Sequence, residues 1–319
     1  MRPRRLAAPV MLVAAAVAAF PAGNLRAAET HVAAPFLQAP IGGRSQAMGG
    51  VYTAIAEGPF GGYANPAGLG RAAHTAVGFH HLSAGQDVRQ ESLAGVVPLG
   101  PGAIGLQLNY LGYGEIAARD ETGALSGESL SPADLLLGAG YGFGIDEAWC
   151  LGANLGLFTM DLGGTQYGGF VLDFGSAWTP APAWTLAGTI KNLGGNVEGY
   201  ALPTSLRLAG AFTTIQERLL LASELDVPFG EASVEFGLGA EFRAWDWLDL
   251  RLGFKTPFGE GDDALEGITL GMGFNLGNFG IDVNFLGREA VGGEAGIALE
   301  YVFGAPRKAP IPEPAAAPA

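Results

Sequence analysis

The sequence is poor in cysteine, in charge and in long apolar runs. Cys150 is the only cysteine among 319 residues, so the chain has no disulfide framework and no cysteine placed to carry a lipid anchor. Only 15% of the residues are charged, and the net charge of -14 argues against nucleic acid as a partner, because a phosphate-binding surface must be basic. No run of eighteen apolar residues occurs after the N-terminus, which excludes membrane-spanning helices.

Catalytic and metal-binding constellations are missing as well. His80 and His81 are adjacent, and on a strand their rings would point to opposite faces, which is a poor metal geometry. No G-x-S-x-G motif occurs, and no acid is spaced to orient Ser83 and His81 as a nucleophile and base. The acidic stretch 260–263 fits a solvated loop better than a calcium site. We therefore expect no catalytic residues, no metal and no cofactor, and we do not expect an enzyme.

The N-terminus has the pattern of a secretory signal peptide. Arg2, Arg4 and Arg5 precede an apolar stretch over residues 6–20, and small residues follow as far as Ala28. The sequence predicts a cleaved signal peptide over residues 1–28, with a retained anchor helix as the alternative.

Between Thr75 and Phe303, apolar residues alternate with polar or small ones in about fourteen blocks. Because successive side chains of a strand point to opposite faces, each block has one apolar and one polar face. Nearly every apolar face has four or five residues, which matches a tilted strand that crosses a membrane. We predict an all-β fold: a transmembrane antiparallel β-barrel of about 14 strands over residues 73–303, integral to the outer membrane. A secreted, soluble β-sandwich is the alternative. The polar faces are expected to line the lumen, and they include Gln107, Asn109, Asp282, Asn284 and Glu300.

Connection lengths support the barrel, because outer-membrane barrels have short periplasmic turns and longer outer loops. The expected strands are 75–82, 90–98, 103–111, 133–144, 148–159, 167–178, 184–192, 205–214, 218–227, 232–243, 247–255, 267–276, 279–286 and 294–303. Short and mostly longer connections alternate between them, and the short connection 228–231 is the exception. All five tryptophans lie near the short connections, so we predict an aromatic girdle at the membrane interface formed by Trp149, Trp178, Trp184, Trp245 and Trp247.

Residues 29–72 are glycine-rich and only weakly periodic. Phe36-Leu37, the stretch 42–54 with Arg44, Met48, Gly49 and Gly50, and the stretch 63–69 with Asn65-Pro66 together resemble the start of the PorV/PorQ family of outer-membrane proteins. That family is similar to the FadL long-chain fatty-acid transporters. The resemblance implies an N-terminal plug segment inside the lumen of a fourteen-stranded barrel, with these residues as plug motif and gate. The tail over residues 304–319 departs from the family pattern.

The residues of this segment also have a local interpretation. Residues 42–50 are expected to form one short helix that Gly49 and Gly50 end, and Asn65 is expected to open a tight turn or cap a helix. Inward-facing glycines would let the backbone of the segment approach the wall closely. We expect such contacts at Gly138, Gly140, Gly142, Gly144, Gly237, Gly239, Gly271 and Gly273. We expect Arg44 to pair with an inward carboxylate such as Asp282 or Glu300.

Two functions follow from this interpretation. The first is movement of hydrophobic or amphiphilic molecules across the outer membrane by a lateral or plug-gated route, as the resemblance implies. The second is an accessory barrel of a type IX-like secretion system that binds secreted proteins through its outer loops, such as residues 112–132. The expected partners are outer-membrane lipid and lipopolysaccharide, a hydrophobic small molecule, or secretion-system proteins. The residues 304–319, rich in proline and alanine, are expected to be an extended tail.

Overall fold

The computed structural model describes residues 32–85, 87–119, 122–214, 216–229, 234–255, 267–287 and 293–304. The predicted signal peptide, the acidic stretch 260–263 and the tail after Gly304 lie outside the described residues. In the part of the chain that is described, no helix is both long and apolar enough to cross a membrane.

Strands make up most of the structure. In chain order they are β1 (Ala76–Ser83), β2 (Arg89–Leu99), β3 (Gly102–Gly112), β4 (Ile116–Arg119), β5 (Leu125–Leu130), β6 (Ala133–Gly144), β7 (Trp149–Asp161), β8 (Gln166–Ala181), β9 (Trp184–Leu193), β10 (Asn196–Val197), β11 (Tyr200–Ala201), β12 (Ser205–Thr214), β13 (Leu219–Pro228), β14 (Glu235–Trp245), β15 (Leu248–Lys255), β16 (Ile268–Leu276), β17 (Phe279–Leu286) and β18 (Glu294–Val302). Fourteen of these strands form one closed antiparallel barrel, and β1 completes it by pairing with β18.

The predicted barrel is confirmed. Each of the fourteen expected blocks overlaps one barrel strand, and the ends agree to within three residues. Two small hairpins, β4–β5 and β10–β11, were not predicted and lie within the longer connections. We call the end of the barrel that carries these connections the long-loop end, and the opposite end the short-turn end.

The outward face of the barrel is apolar and exposed. Phe79, Leu93, Leu108 and Leu137 pair in one continuous row across four strands, and each is an exposed hydrophobic residue. Exposed apolar rows of this kind are typical of a barrel wall that faces lipid, because a soluble β-sandwich would bury them against a second sheet.

Aromatic residues gather at the short-turn end of this outward face. Trp149 stacks on Trp178 with ring centroids 5.5 Å apart, and Trp245 stacks on Trp247 at 5.7 Å. Trp184 packs against Phe212 at the same end of the barrel. The five tryptophans therefore occupy the positions that an interfacial girdle requires.

The segment before β1 lies inside the barrel, and we call residues 32–72 the plug. It contains three 3₁₀ helices and two short α-helices: η1 (Pro35–Gln38), α1 (Gly43–Ala47), η2 (Thr53–Ile55), α2 (Gly58–Ala64) and η3 (Pro66–Arg71). Ala33 donates a backbone hydrogen bond to Ala201 at the long-loop end, whereas Arg71 contacts Thr179 at the short-turn end. The plug therefore runs the length of the lumen.

Candidate functional site

The first half of the plug is anchored by α1, which forms as the sequence predicted. Gly49 and Gly50 follow it with φ values of 71° and 77°, a left-handed conformation that glycine adopts without steric cost and that ends the helix. The wall carries glycines where the helix approaches it most closely. A Cβ at Gly253 would clash with Met48 and Gly49, and one at Gly271 would clash with Ala47. The helix therefore packs directly on strand backbone at these two glycines.

The second half of the plug is anchored at Asn65-Pro66. The Asn65 side chain accepts a hydrogen bond from the Ala67 amide at 3.0 Å, so it caps η3, and it donates to the carbonyl oxygen of Thr53 at 3.0 Å. It also donates to the carbonyl oxygen of Ser176 in the wall at 3.3 Å. A Cβ at Gly152 would overlap the Pro66 backbone. One asparagine thus holds the plug to itself and to β8.

The inward glycines divide into two groups. Gly142, Gly237, Gly239 and Gly271 face the plug, as expected. The expectation is wrong for the others, which face side chains or a turn: Gly138 faces Gln107, Gly140 faces Asn154, Gly273 faces Arg251 and Asp282, and Gly144 lies beside Asp146. Wall side chains fill these places, and alternation alone cannot tell such a position from one that the plug occupies.

A buried cluster of ions joins the plug to the wall. The Arg44 guanidinium donates to both carboxylate oxygens of Glu241, at 2.8 and 3.2 Å. Glu241 also accepts from Arg251 at 2.7 Å, and Arg251 donates to Asp282 at 2.7 Å. Arg44 further pairs with Glu57 of the plug at 3.2 Å. We call the four residues Arg44, Glu241, Arg251 and Asp282 the ion cluster.

The ion cluster corrects the expected partner of Arg44. The contacts that the structure shows for Arg44 go to Glu241 and Glu57, and Asp282 is joined to it through Arg251. Glu300 instead lies beside Gly58. Burial alone would lower the pKa of Arg44, but the nearby carboxylates, Glu241 foremost, raise it well above its usual value. Arg44 therefore stays charged, and the Glu241 carboxylate of the wall balances its charge.

Two further charged contacts were missed by the sequence analysis. Lys191 donates to Asp173 at 3.1 Å and to the carbonyl oxygen of Tyr63 in the plug, and its ammonium group lies over the Tyr63 ring at 4.3 Å. Glu224 accepts from the amides of Tyr52 and Thr53 at 3.2 and 3.0 Å. In both contacts the wall residue is a charged residue on the inward phase of a strand, and that position was the only signal that the sequence offered.

The five expected lumen residues are all buried inside the barrel, with relative exposures of 9% or less. Asn284 donates to Gln46 of the plug at 2.8 Å, Gln46 donates to Gln90 at 3.3 Å, and Gln90 donates to Asn109 at 3.0 Å. An uncharged hydrogen-bonded chain thus links the plug to β17, β2 and β3, in addition to the ion cluster, which links it to β14, β15 and β17.

The long-loop end of the lumen contains an apolar recess, which sequence reasoning did not find. Its wall is formed by inward side chains of β6 to β8, and Phe36 and Leu37 of the plug fill it. The Phe36 and Phe158 rings meet edge-on with centroids 6.3 Å apart. Aliphatic and aromatic groups with no hydrogen-bonding requirement favour an apolar occupant. The recess wall consists of Leu136, Phe158, Met160 and Val171.

Chemical labelling of the single cysteine tests whether the plug occupies its place against the wall. Cys150 is buried between Ala67 of the plug and Ala177 of the wall. We expect a maleimide to leave Cys150 unmodified in the native protein and to modify it once detergent and heat release the plug. Mass spectrometry of the labelled chain measures this, and rapid labelling of the native barrel would show that the plug does not cover Cys150.

Comparisons with solved structures find similar barrels. The Pseudomonas putida toluene transporter TodX matches with a TM-score of 0.60 at 14% identity, over 82% of this chain and 97% of that one. A TodX mutant described as a monoaromatic hydrocarbon channel matches with a TM-score of 0.59 at 15% identity, over 82% and 98% of the two chains. The Acinetobacter baumannii outer membrane protein Omp33 is more distant, with a TM-score of 0.46 at 10% identity over 72% of this chain and 98% of that one.

No protein-family model and no curated protein sequence matches this chain. The structural comparisons do not single out the PorV/PorQ family. At these identities the likeness shows the fold, and the chain has the closed fourteen-stranded barrel fold of the TodX channel.

Proposed function

We propose that this protein is an integral outer-membrane channel that admits hydrophobic or amphiphilic small molecules and is closed at rest by its plug. The apolar outer wall and the aromatic girdle support the membrane location, together with the predicted signal peptide. The similarity to TodX, a toluene transporter and monoaromatic hydrocarbon channel, supports the class of cargo.

The apolar recess is the observation that carries this proposal. A lumen that served only water or sugars would have no need of an inward wall made of Leu136, Phe158, Met160 and Val171. The recess lies at the long-loop end, where a molecule from outside the cell arrives first. Phe36 of the plug occupies it, so an incoming apolar molecule competes with this ring. Binding and displacement of the plug are thereby coupled.

Phe36→Ala is expected to raise the affinity for an apolar fluorescent probe such as 1-N-phenylnaphthylamine by about tenfold or more. The competing ring is removed, and the burial of one such side chain corresponds to about 1.5–3 kcal/mol. Fluorescence titration of the purified protein measures the affinity.

Phe60→Ala is the matched control, because Phe60 is an equally buried plug phenylalanine that packs against Gly42, Gly78 and His80. We expect Phe60→Ala to leave the affinity within about twofold. Equal affinities in both variants, or no saturable binding in any form, would contradict the proposed cargo. Uptake of toluene by a strain that lacks this protein tests the transport step.

The secretion-accessory function depends on a different surface. The hairpin β4–β5 projects from the long-loop end and exposes the apolar side chains of Ile116, Leu125 and Leu130. A protein partner would bind there, and affinity isolation of the intact protein should then recover a secreted chain that is lost when residues 116–130 are deleted.

A further inference from the structure

A polar cavity of about 430 Å³ opens on the outer surface of the barrel, at the long-loop end of β1 to β3. Outward side chains of the strands form one side of it, notably His81, Arg89 and Tyr110. The other side is formed by the connections next to these strands, including Asp87 and Glu115. The cavity is separate from the lumen, because the inward neighbours of His81 on β1 are His80 and Leu82.

The cavity lies directly above the apolar rows of the wall. His81 pairs with Glu91 and Glu91 with Tyr110 across three strands. The next outward row consists of the exposed residues Phe79, Leu93, Leu108 and Leu137. A molecule with a polar head in the cavity would therefore lay its apolar chain along this row.

The charges around the cavity are of both signs and are kept apart. The strand side carries the Arg89 guanidinium, and the connecting segments carry the Asp87 and Glu115 carboxylates. Within the described residues, none of these three groups makes an ion pair with another residue. His81 donates from Nδ1 to the Glu91 carboxylate at 2.7 Å, which fixes the ring and leaves Nε2 for another partner.

We propose that this cavity binds the phosphoethanolamine headgroup of a membrane lipid. The phosphate accepts hydrogen bonds from Arg89 and the Tyr110 hydroxyl, and the ammonium group is held by Glu115 and Asp87. A headgroup that carries both charges satisfies both sides of the cavity, whereas a purely anionic headgroup would leave the carboxylates unpaired and repelled. The acyl chains lie on the row that contains Phe79 and Leu93. This site requires the barrel to be in a membrane, but it does not depend on what the lumen carries.

Native mass spectrometry of the detergent-extracted full chain tests the proposal. The probes are a short-chain phosphatidylethanolamine, the matching phosphatidylglycerol, and inorganic phosphate. We expect the ethanolamine lipid to bind about three- to tenfold more tightly than the glycerol lipid, as suits one partly exposed ion pair.

Three variants separate the contributions. Arg89→Ala should weaken the binding of both lipids, whereas Glu115→Gln should reduce only the preference for ethanolamine. Arg119→Ala is the control, because Arg119 is an exposed arginine of β4 that hydrogen-bonds Gly123 outside the cavity. Heat-modifiable gel mobility shows that each variant is folded.

Several outcomes would overturn the proposal. Equal binding of the two lipids by the unmodified protein rules out a zwitterionic site. Equal losses of lipid affinity in Arg89→Ala and Arg119→Ala would show that the lipid is bound by non-specific charge attraction. Competition by inorganic phosphate at the concentration of the lipid shows a simple anion site. None of these results affects the binding of the apolar probe in the lumen. The proposed channel function is therefore tested separately.

Discussion

Glu241→Gln is expected to lower the free energy of unfolding by about 3–5 kcal/mol, the cost of leaving buried charges without their partner. Glu241 is shared by Arg44 of the plug and Arg251 of the wall, and its side chain is 8% exposed. Glutamine keeps the shape but removes the negative charge, so two guanidinium groups would face each other without it. The loss should also weaken the attachment of the plug.

The measurement is the midpoint of thermal or urea unfolding, followed by the change in gel mobility that accompanies opening of the barrel. Glu57→Gln is the matched control, because Glu57 also pairs with Arg44 but its side chain is 66% exposed. An exposed pair contributes about 0–1 kcal/mol. Equal effects of the two substitutions would show that Arg44 does not depend on the wall for its charge balance.

Gly152→Ala is expected to dislodge the plug at its second anchor. The added methyl would overlap the backbone of Pro66, which cannot move aside as a flexible side chain does. Overpacking of this kind costs about 1–3 kcal/mol, so the seated state should lose about tenfold or more of its population relative to the released state. The maleimide labelling rate of Cys150, the inward neighbour of Gly152 on β7, should rise by the same factor.

Gly188→Ala provides the control for this substitution. Gly188 is a strand glycine whose added Cβ would meet the Leu208 side chain at 3.5 Å and the Arg207 carbonyl oxygen at 3.7 Å, which are ordinary contact distances. We expect its Cys150 labelling rate and its ion conductance in a planar bilayer to match those of the unmodified protein. An increase in both variants would mean that strand glycines affect the barrel itself. An increase in neither would mean that Pro66 does not touch the wall.

The barrel was predictable from the sequence because period-two alternation fixes which face of each strand is wet, and turn residues fix where each strand ends. Local motifs were predictable for the same reason: Gly49-Gly50 ends α1 and Asn65 caps η3 through contacts that are near in sequence. These features depend only on residues that are close together in the sequence.

The pairings inside the lumen were not predictable. Glu241 and Arg251 belong to the polar phase of their strands, but their meeting depends on the register between β14 and β15, and their meeting with Arg44 depends on the path of the plug. The distance in sequence between Arg44 and Glu241 is 197 residues. The apolar recess was missed because its four wall residues come from three different strands, and each strand contributes only one or two apolar residues to the polar phase.

The course of the plug has a consequence for biogenesis. The described chain begins beside Ala201 at one mouth of the cylinder and reaches β1 at the other, so the leading peptide spans the bore before the first strand starts. If the barrel closed first, the plug would have to thread through it, and bulky side chains such as those of Tyr52 and Tyr63 would have to pass through the lumen. The alternative is that the plug takes its place before β1 and β18 pair, so that the barrel closes around the plug.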